Sequence, residues 1–168
     1  MAESKSKYVQ IEQQGGERKL FFRPIASLSS GSSARSYAML RRVKRIVKKQ
    51  HWPSEIIDGE LHVGVPDNAT GLAEILAQID HVLDDMAKAP MLPHEVEEAL
   101  SITSRERSRW TKDRRLSASG GRSFKKGRQL FFVTYDASKI LELSQNPQIL
   151  QAWRLADAQT KKDPDDAG

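Results

Sequence analysis

His94-Glu95-Val96-Glu97-Glu98-Ala99-Leu100, Ser101-Ile102-Thr103 and Ser104-Arg105-Glu106-Arg107-Ser108-Arg109-Trp110-Thr111-Lys112-Asp113 follow one another without a break. The first piece, opened by Pro93, predicts two turns of helix. The second is a tight connector. The third predicts a helix with a capping box: the Thr103 hydroxyl can accept from the amide of Glu106 while the Glu106 carboxylate reaches back. Two short helices joined by about three residues, the second capped and rich in arginine, follow helix-turn-helix grammar. Trp110 is expected to face the core. Arg105, Arg107, Arg109 and Lys112 are candidates for a groove and its phosphates. Helical geometry puts 105, 109 and 112 on one face and 107 away from it.

The residues after this pair read as a wing. Leu116 closes the helical unit, and Ser117-Ala118-Ser119-Gly120-Gly121-Arg122 starts a loop or strand. Ser123-Phe124-Lys125-Lys126-Gly127-Arg128 is a basic hairpin tip, and Gln129-Leu130-Phe131-Phe132-Val133-Thr134-Tyr135 is the best strand in the chain. Asp136 then caps a helix carrying Ile140, Leu141 and Leu143. Cations at such a tip suit a DNA backbone, because each neutralised phosphate releases a counterion. Phe131, Phe132 and Trp153 are assigned to the core rather than to base stacking.

Thr103-Ser104-Arg105, Arg109-Trp110-Thr111-Lys112-Asp113-Arg114-Arg115-Leu116, the basic wing, and Tyr135-Asp136 with Ile140 and Leu143 together resemble the winged helix of MerR-type regulators and of phage or plasmid excisionases. The resemblance spans roughly residues 93–145. Ser104, Arg109, Trp110, Leu116, Tyr135 and Ile140 occupy the matching positions. It implies that Ser104, Arg105 and Arg109 approach DNA from a recognition helix at about 104–115, and Lys125, Lys126 and Arg128 from the wing. Lys112, Arg114, Arg115 and Arg122 complete the candidate contact set. Arg115 stands where the family usually has glycine, and the wing is longer than usual. Only Asn146-Pro147 and a short helix with Ile149, Leu150 and Trp153 are read downstream, in place of the long MerR dimerisation helix. That moves the expectation toward an excisionase-like or accessory bacterial DNA-binding protein.

Upstream, a helix is expected from Ser32 or Ser33, either of which can cap it, to about Gln50. Met39, Leu40, Val43, Ile46 and Val47 form its buried face, and seven cations from Arg35 to Lys49 line the rest. Arg41, Arg42, Lys44, Arg45, Lys48 and Lys49 are a secondary candidate nucleic-acid surface. Leu61, Val63 and Val65 alternate as a half-buried strand. An amphipathic helix follows over 67–88, capped by Asp67 or Asn68, with Leu72, Ile75, Leu76, Ile79, Val82, Leu83 and Met86 on one face. That face is expected to enter the core, dock or form a homodimer. Residues 1–34 are read as a flexible arm holding short extended pieces at Tyr8-Val9-Gln10-Ile11 and Lys19-Leu20-Phe21-Phe22, with a serine-rich linker from Ser27 to Ser36. Three further segments follow: 35–90, the winged module at 91–158, and an acidic disordered tail at 159–168.

Charge is segregated along this plan. Ten cations lie between Ser104 and Arg128, seven between Arg35 and Lys49, and eight acids between Asp67 and Leu100. The basic and acidic blocks either pair internally or present separate faces. The net charge of +5 over 168 residues is a small remainder of these blocks.

Composition narrows the function classes. No cysteine is present, which rules out disulfides, cysteine-ligated zinc and a thiolate nucleophile. No apolar run is long enough to span a bilayer, and the first residues lack a signal-peptide core, so a cytoplasmic protein is expected. Gly121 and Gly127 with Lys125 and Lys126 miss the phosphate-loop spacing. His81 near Asp84 and Asp85 is read as a surface histidine rather than a metal ligand, no serine has a nucleophile setting, and no cofactor is implied. The expected class is mainly α with short β, an α+β chain, with a C-terminal winged helix-turn-helix and an N-terminal helical region with short strands. The expected role is non-enzymatic binding of double-stranded DNA, in transcription regulation or as an accessory factor of a mobile element. The alternative is an adaptor subunit in a protein or ribonucleoprotein assembly, binding RNA or a partner protein.

Overall fold

The computed structural model describes residues 5–126 and 128–162. It is an α+β chain with seven helices and six strands among the described residues. The chain forms two compact units, residues 1–89 and 90–168, each with its own core. Among the described residues no helix is long and apolar enough to cross a membrane.

In the first unit, β1 (Val9–Gln14) and β2 (Glu17–Phe22) form one hairpin, and β3 (Ser54–Ile57) and β4 (Glu60–Val65) form another. They join into one antiparallel sheet of order β1-β2-β4-β3. Gly15 and Gly16 make the first turn with φ of 60° and 86°, a conformation glycine adopts without a Cβ penalty. Leu20 pairs with Val63 and Phe22 with Leu61, so alternate apolar residues line one face. Against it pack α2 (Ser33–Lys48) and α3 (Leu72–Lys88), and the short α1 (Ala26–Ser29) packs against both helices.

The arm expected over 1–34 is therefore part of this unit. Val9, Leu20, Phe22 and Leu28 are buried, and a period-2 pattern that short finds its reason only in strands distant in sequence. The serine-rich linker is partly ordered too: α1 lies within it, and Ser29, Ser30 and Ser32 are buried. Ser32 caps α2, accepting from the amide of Arg35 at 3.2 Å. Neither Asp67 nor Asn68 caps α3; Gly71 does, at φ 75°, and the helix starts at Leu72. Leu72, Ile75, Leu76, Ile79 and Leu83 are buried within the unit, so the face offered for dimerisation is already covered.

One of the six cations of α2 is not on its outer face. Arg35 is buried, and its Nη2 donates to the carbonyls of Met86 (2.6 Å), Ala87 (3.3 Å) and Ala89 (3.1 Å). Those carbonyls end α3, where a helix lacks internal donors and carries partial negative charge. A guanidinium with several fixed donors satisfies them together.

The second unit runs α4 (Pro93–Leu100), α5 (Ser104–Lys112), the antiparallel strands β5 (Ala118–Lys126) and β6 (Arg128–Tyr135), α6 (Ala137–Gln145) and α7 (Pro147–Lys162). Met91 bridges Tyr135, adding a third chain beside β6. The core gathers Met91, Val96, Leu100, Trp110, Leu116, Tyr135, Ile140 and Leu150. Asp136 caps α6 by accepting from the amides of Ser138 and Lys139. The helix after Pro147 is not short: it has 16 residues and runs through Lys162, into the stretch expected to be a disordered tail. Its alanines and i, i+4 polar residues carry it past the last core contact. The rest of that tail, 163–168, lies outside the described residues.

Candidate nucleic-acid interface

α5 is built as its sequence predicts. Thr103 Oγ1 accepts from the amide of Glu106 at 3.1 Å, and the Glu106 carboxylate accepts from the amide of Thr103 at 2.9 Å. Trp110 is fully buried and meets Trp153 edge to face at 5.1 Å between ring centroids. With Trp110 inward, Ser104, Arg105, Ser108, Arg109 and Lys112 are all exposed, and their spacing puts them on one outer face. The helix ends at Lys112, with Asp113 as its C-cap, three residues before the expected end. Arg114, next in the chain, is exposed with φ 67°.

Arg107 does point away. It is largely buried, donating to Glu97 Oε1 at 2.7 Å and to Tyr135 Oη at 3.0 Å. Thr111 Oγ1 lies 2.8 Å from the same phenol and 2.6 Å from the Arg107 carbonyl. Since the threonine's one hydrogen goes to that carbonyl, Tyr135 donates to Thr111 while accepting from Arg107. This node ties α4, α5 and β6 together and fixes how α5 presents its outer face.

A second brace comes from α7, and no local pattern in the chain signals it. Asp157 accepts from Arg109 Nη1 (3.0 Å), Trp110 Nε1 (2.9 Å) and Arg115 Nη2 (2.7 Å). Burial pushes the Asp157 carboxyl up, but the bonds from Arg115, Trp110 and Arg109 outweigh it and hold the group at about 2. Arg154 donates to Glu106 (2.6 Å) and to the Ser101 carbonyl (3.2 Å), and this arginine is the main reason the Glu106 carboxyl lies below its usual range. The partners lie 42 to 53 residues apart, beyond the reach of any i, i+4 pattern.

The candidate contact residues thus divide. Arg105 and Lys112 are exposed and form no ion pair among the described residues. Arg109 is exposed but leans on Asp157. Arg115 is a correction: it bonds Asp113 (2.6 Å), Asp157 and the Trp153 carbonyl (3.2 Å), with its guanidinium 5.8 Å and 5.9 Å from the rings of Trp110 and Trp153. These bonds, first that to Asp113, raise its already high pKa. It belongs to the brace, which takes up four of its five N–H donors and leaves none of the paired geometry that forks onto a base edge.

In the wing, register pairs Lys126 with Arg128, Lys125 with Gln129 and Arg122 with Phe132. All four cations therefore fall in the half of the hairpin nearest its turn. Gly127 lies outside the described residues. Phe131 and Phe132 were expected in the core, and both are exposed, Phe131 by 69%. Among the described residues of β6, the apolar cluster takes in Tyr135 and Val133 but neither phenylalanine. Trp153 does pack on the core.

The secondary set lies on α2 in the first unit. Arg41, Arg42, Arg45, Lys48 and Lys49 are exposed and Lys44 is half-buried. His81 Nε2 lies 3.3 Å from Asp85 Oδ2, and no group of three or more metal-ligating side chains occurs among the described residues.

No protein-family model, curated protein or solved structure matches the chain.

Proposed function

We propose that the protein is a non-enzymatic, sequence-specific binder of double-stranded DNA that reads its site through the second unit. One observation carries this reading. The outer face of α5, behind a three-residue turn and a capped start, bears Ser104, Arg105, Arg109 and Lys112 with no acid among them, and a hairpin with cations at its end follows. A helix of this kind fits a major groove, where arginine can bond the O6 and N7 edges of guanine in a fork. Lysine and arginine at the end of a wing hold phosphates, which position the protein without reading sequence. In this reading the cellular role is that of a transcriptional regulator or an excisionase-like accessory factor.

A second reading, an adaptor subunit that binds a partner protein through the second unit, draws support from Phe131 and Leu155. Both are exposed by more than two thirds. Equilibrium binding to specific and scrambled duplexes separates the two. Neutralising Lys125, Lys126 and Arg128 to glutamine should weaken all duplexes alike, whereas Arg109→Ala and Arg105→Ala should also relax preference among sequences. If both sets bind DNA as the parent does, the reading is wrong.

A further inference from the structure

The first unit carries a charge distribution that its own fold does not use. Between Glu17 and Glu55 the chain has no acidic residue. Within this stretch α2 turns its apolar face to the sheet and α3 and its basic face outward. Arg41, Arg42, Lys44, Arg45, Lys48 and Lys49 form no ion pair among the described residues, although α3 of the same unit carries Glu74, Asp80, Asp84 and Asp85. Three of these acids are engaged elsewhere, Asp85 with His81 (3.3 Å) on α3 itself. Asp84 accepts from Lys7 Nζ (2.9 Å) and from the Tyr8 hydroxyl, and Asp80 from the Lys7 amide (2.9 Å) and Ser6. The basic and acidic blocks therefore present separate faces.

A structural role accounts for only part of this. Arg45 and Lys48 lie in the last turn of α2, where cations oppose the helix dipole. Arg41, Arg42 and Lys44 lie too far from that end to gain from it. Like charges at i, i+4 such as Arg41 and Arg45 instead cost the isolated helix a little.

We propose that the outer face of α2 binds the phosphate backbone of duplex DNA, independently of sequence. Arg41 to Lys48 spans about 10 Å of helix axis, against which a duplex sets about six phosphate charges. The face is poor in apolar groups. Tyr37 is its only large one, 58% exposed, with the Arg41 guanidinium 5.7 Å from its ring. A bilayer surface needs apolar side chains to insert, and those of α2 are spent on the core. A protein interface needs a desolvated centre from which charge is depleted, the reverse of this face. A track for single strands needs successive stacking platforms, and one tyrosine does not make one. Crowded cations on a convex helix suit a duplex backbone.

The inference does not rest on the second unit, and its test keeps the two apart. The full chain carrying Arg41→Gln, Arg45→Gln and Lys48→Gln is compared with a control carrying Lys88→Gln, Lys139→Gln and Lys161→Gln, which has the same net charge. All six positions are exposed, and circular dichroism verifies folding. Affinity for a random-sequence duplex is measured over a salt series, in the parent and in an Arg105→Ala, Arg109→Ala background. The α2 variant should flatten the slope of log K against log salt by about 2–3, since each lost phosphate contact removes about 0.9, and the control by less than one. The same flattening should appear in the Arg105→Ala, Arg109→Ala background. Equal slopes for variant and control overturn the proposal. So does tighter binding of single-stranded RNA or of polyglutamate than of duplex at the α2 face.

Discussion

Replacing Asp157 by asparagine removes one carboxylate from beneath three donors. Arg109, Trp110 and Arg115 all bond it within 3.0 Å. Asparagine keeps one acceptor oxygen but turns an NH2 group toward a guanidinium, donor against donor. The folded protein holds the carboxyl at about 2 against an ordinary 3.8. At about 1.4 kcal/mol per pKa unit, that difference corresponds to about 2 kcal/mol of stability in the second unit. Charge-assisted hydrogen bonds of this kind are measured at about 1.5–3 kcal/mol, in the same range. For a domain of this size the loss lowers the unfolding midpoint by roughly 8–16 °C. The pH dependence has a definite sign. A folded pKa below the unfolded one gives stability that is fully present above about pH 5 and is lost as pH falls from 3.8 toward 2. The assay is denaturant unfolding followed by tryptophan emission in a Trp52→Phe background, which leaves Trp110 and Trp153, both in the second unit, as reporters. The difference between parent and Asp157→Asn should be about 2 kcal/mol at pH 7 and fall to about 0.4 kcal/mol at pH 2. Coincident curves at pH 7, or a gap that is undiminished at pH 2, would show that α7 does not brace α5 through this carboxylate.

Three other substitutions test the same physical account. Arg35→Met keeps the bulk but strips the α3 carbonyls of their donors, and should cost the first unit about 2–4 kcal/mol in chemical denaturation. Tyr135→Phe removes the phenol shared by Arg107 and Thr111, and should cost about 1–2 kcal/mol while leaving the backbone circular dichroism unchanged. Thr103→Ala breaks one half of the capping box and should cost about 1 kcal/mol, read as faster hydrogen exchange in the first turn of α5.

The second unit was legible in the sequence because its decisive signals are local. A capping box spans four residues, the hairpin eighteen, and a buried tryptophan announces the inner side of a nine-residue helix. The order of α4, α5, hairpin and α6 could therefore be read directly. The first unit is joined by non-local pairing. β1 meets β2 locally, but the order β1-β2-β4-β3 requires β2 to find β4 across about 40 residues, and no period in residues 1–34 reports that. The short β3 has only four residues and went unread for the same reason. Side-chain fate was legible where helical phase decides it, as for Arg107, and illegible where a partner far along the chain decides it. Arg115 and Arg35 looked like two more surface cations, and each is instead held by carboxylates or carbonyls 38 to 54 residues away, Arg115 by the neighbouring Asp113 as well.

The central claim, that the outer face of α5 reads duplex DNA, is tested most directly by selecting bound duplexes from a random pool. The selection uses the full chain at physiological salt and is repeated with Arg105→Ala and Arg109→Ala together. The account predicts one enriched sequence pattern with the parent protein and loss of that pattern with the variant, while residual, salt-sensitive binding remains. A pool that emerges unenriched from the parent, or a pattern that survives both substitutions unchanged, would contradict it.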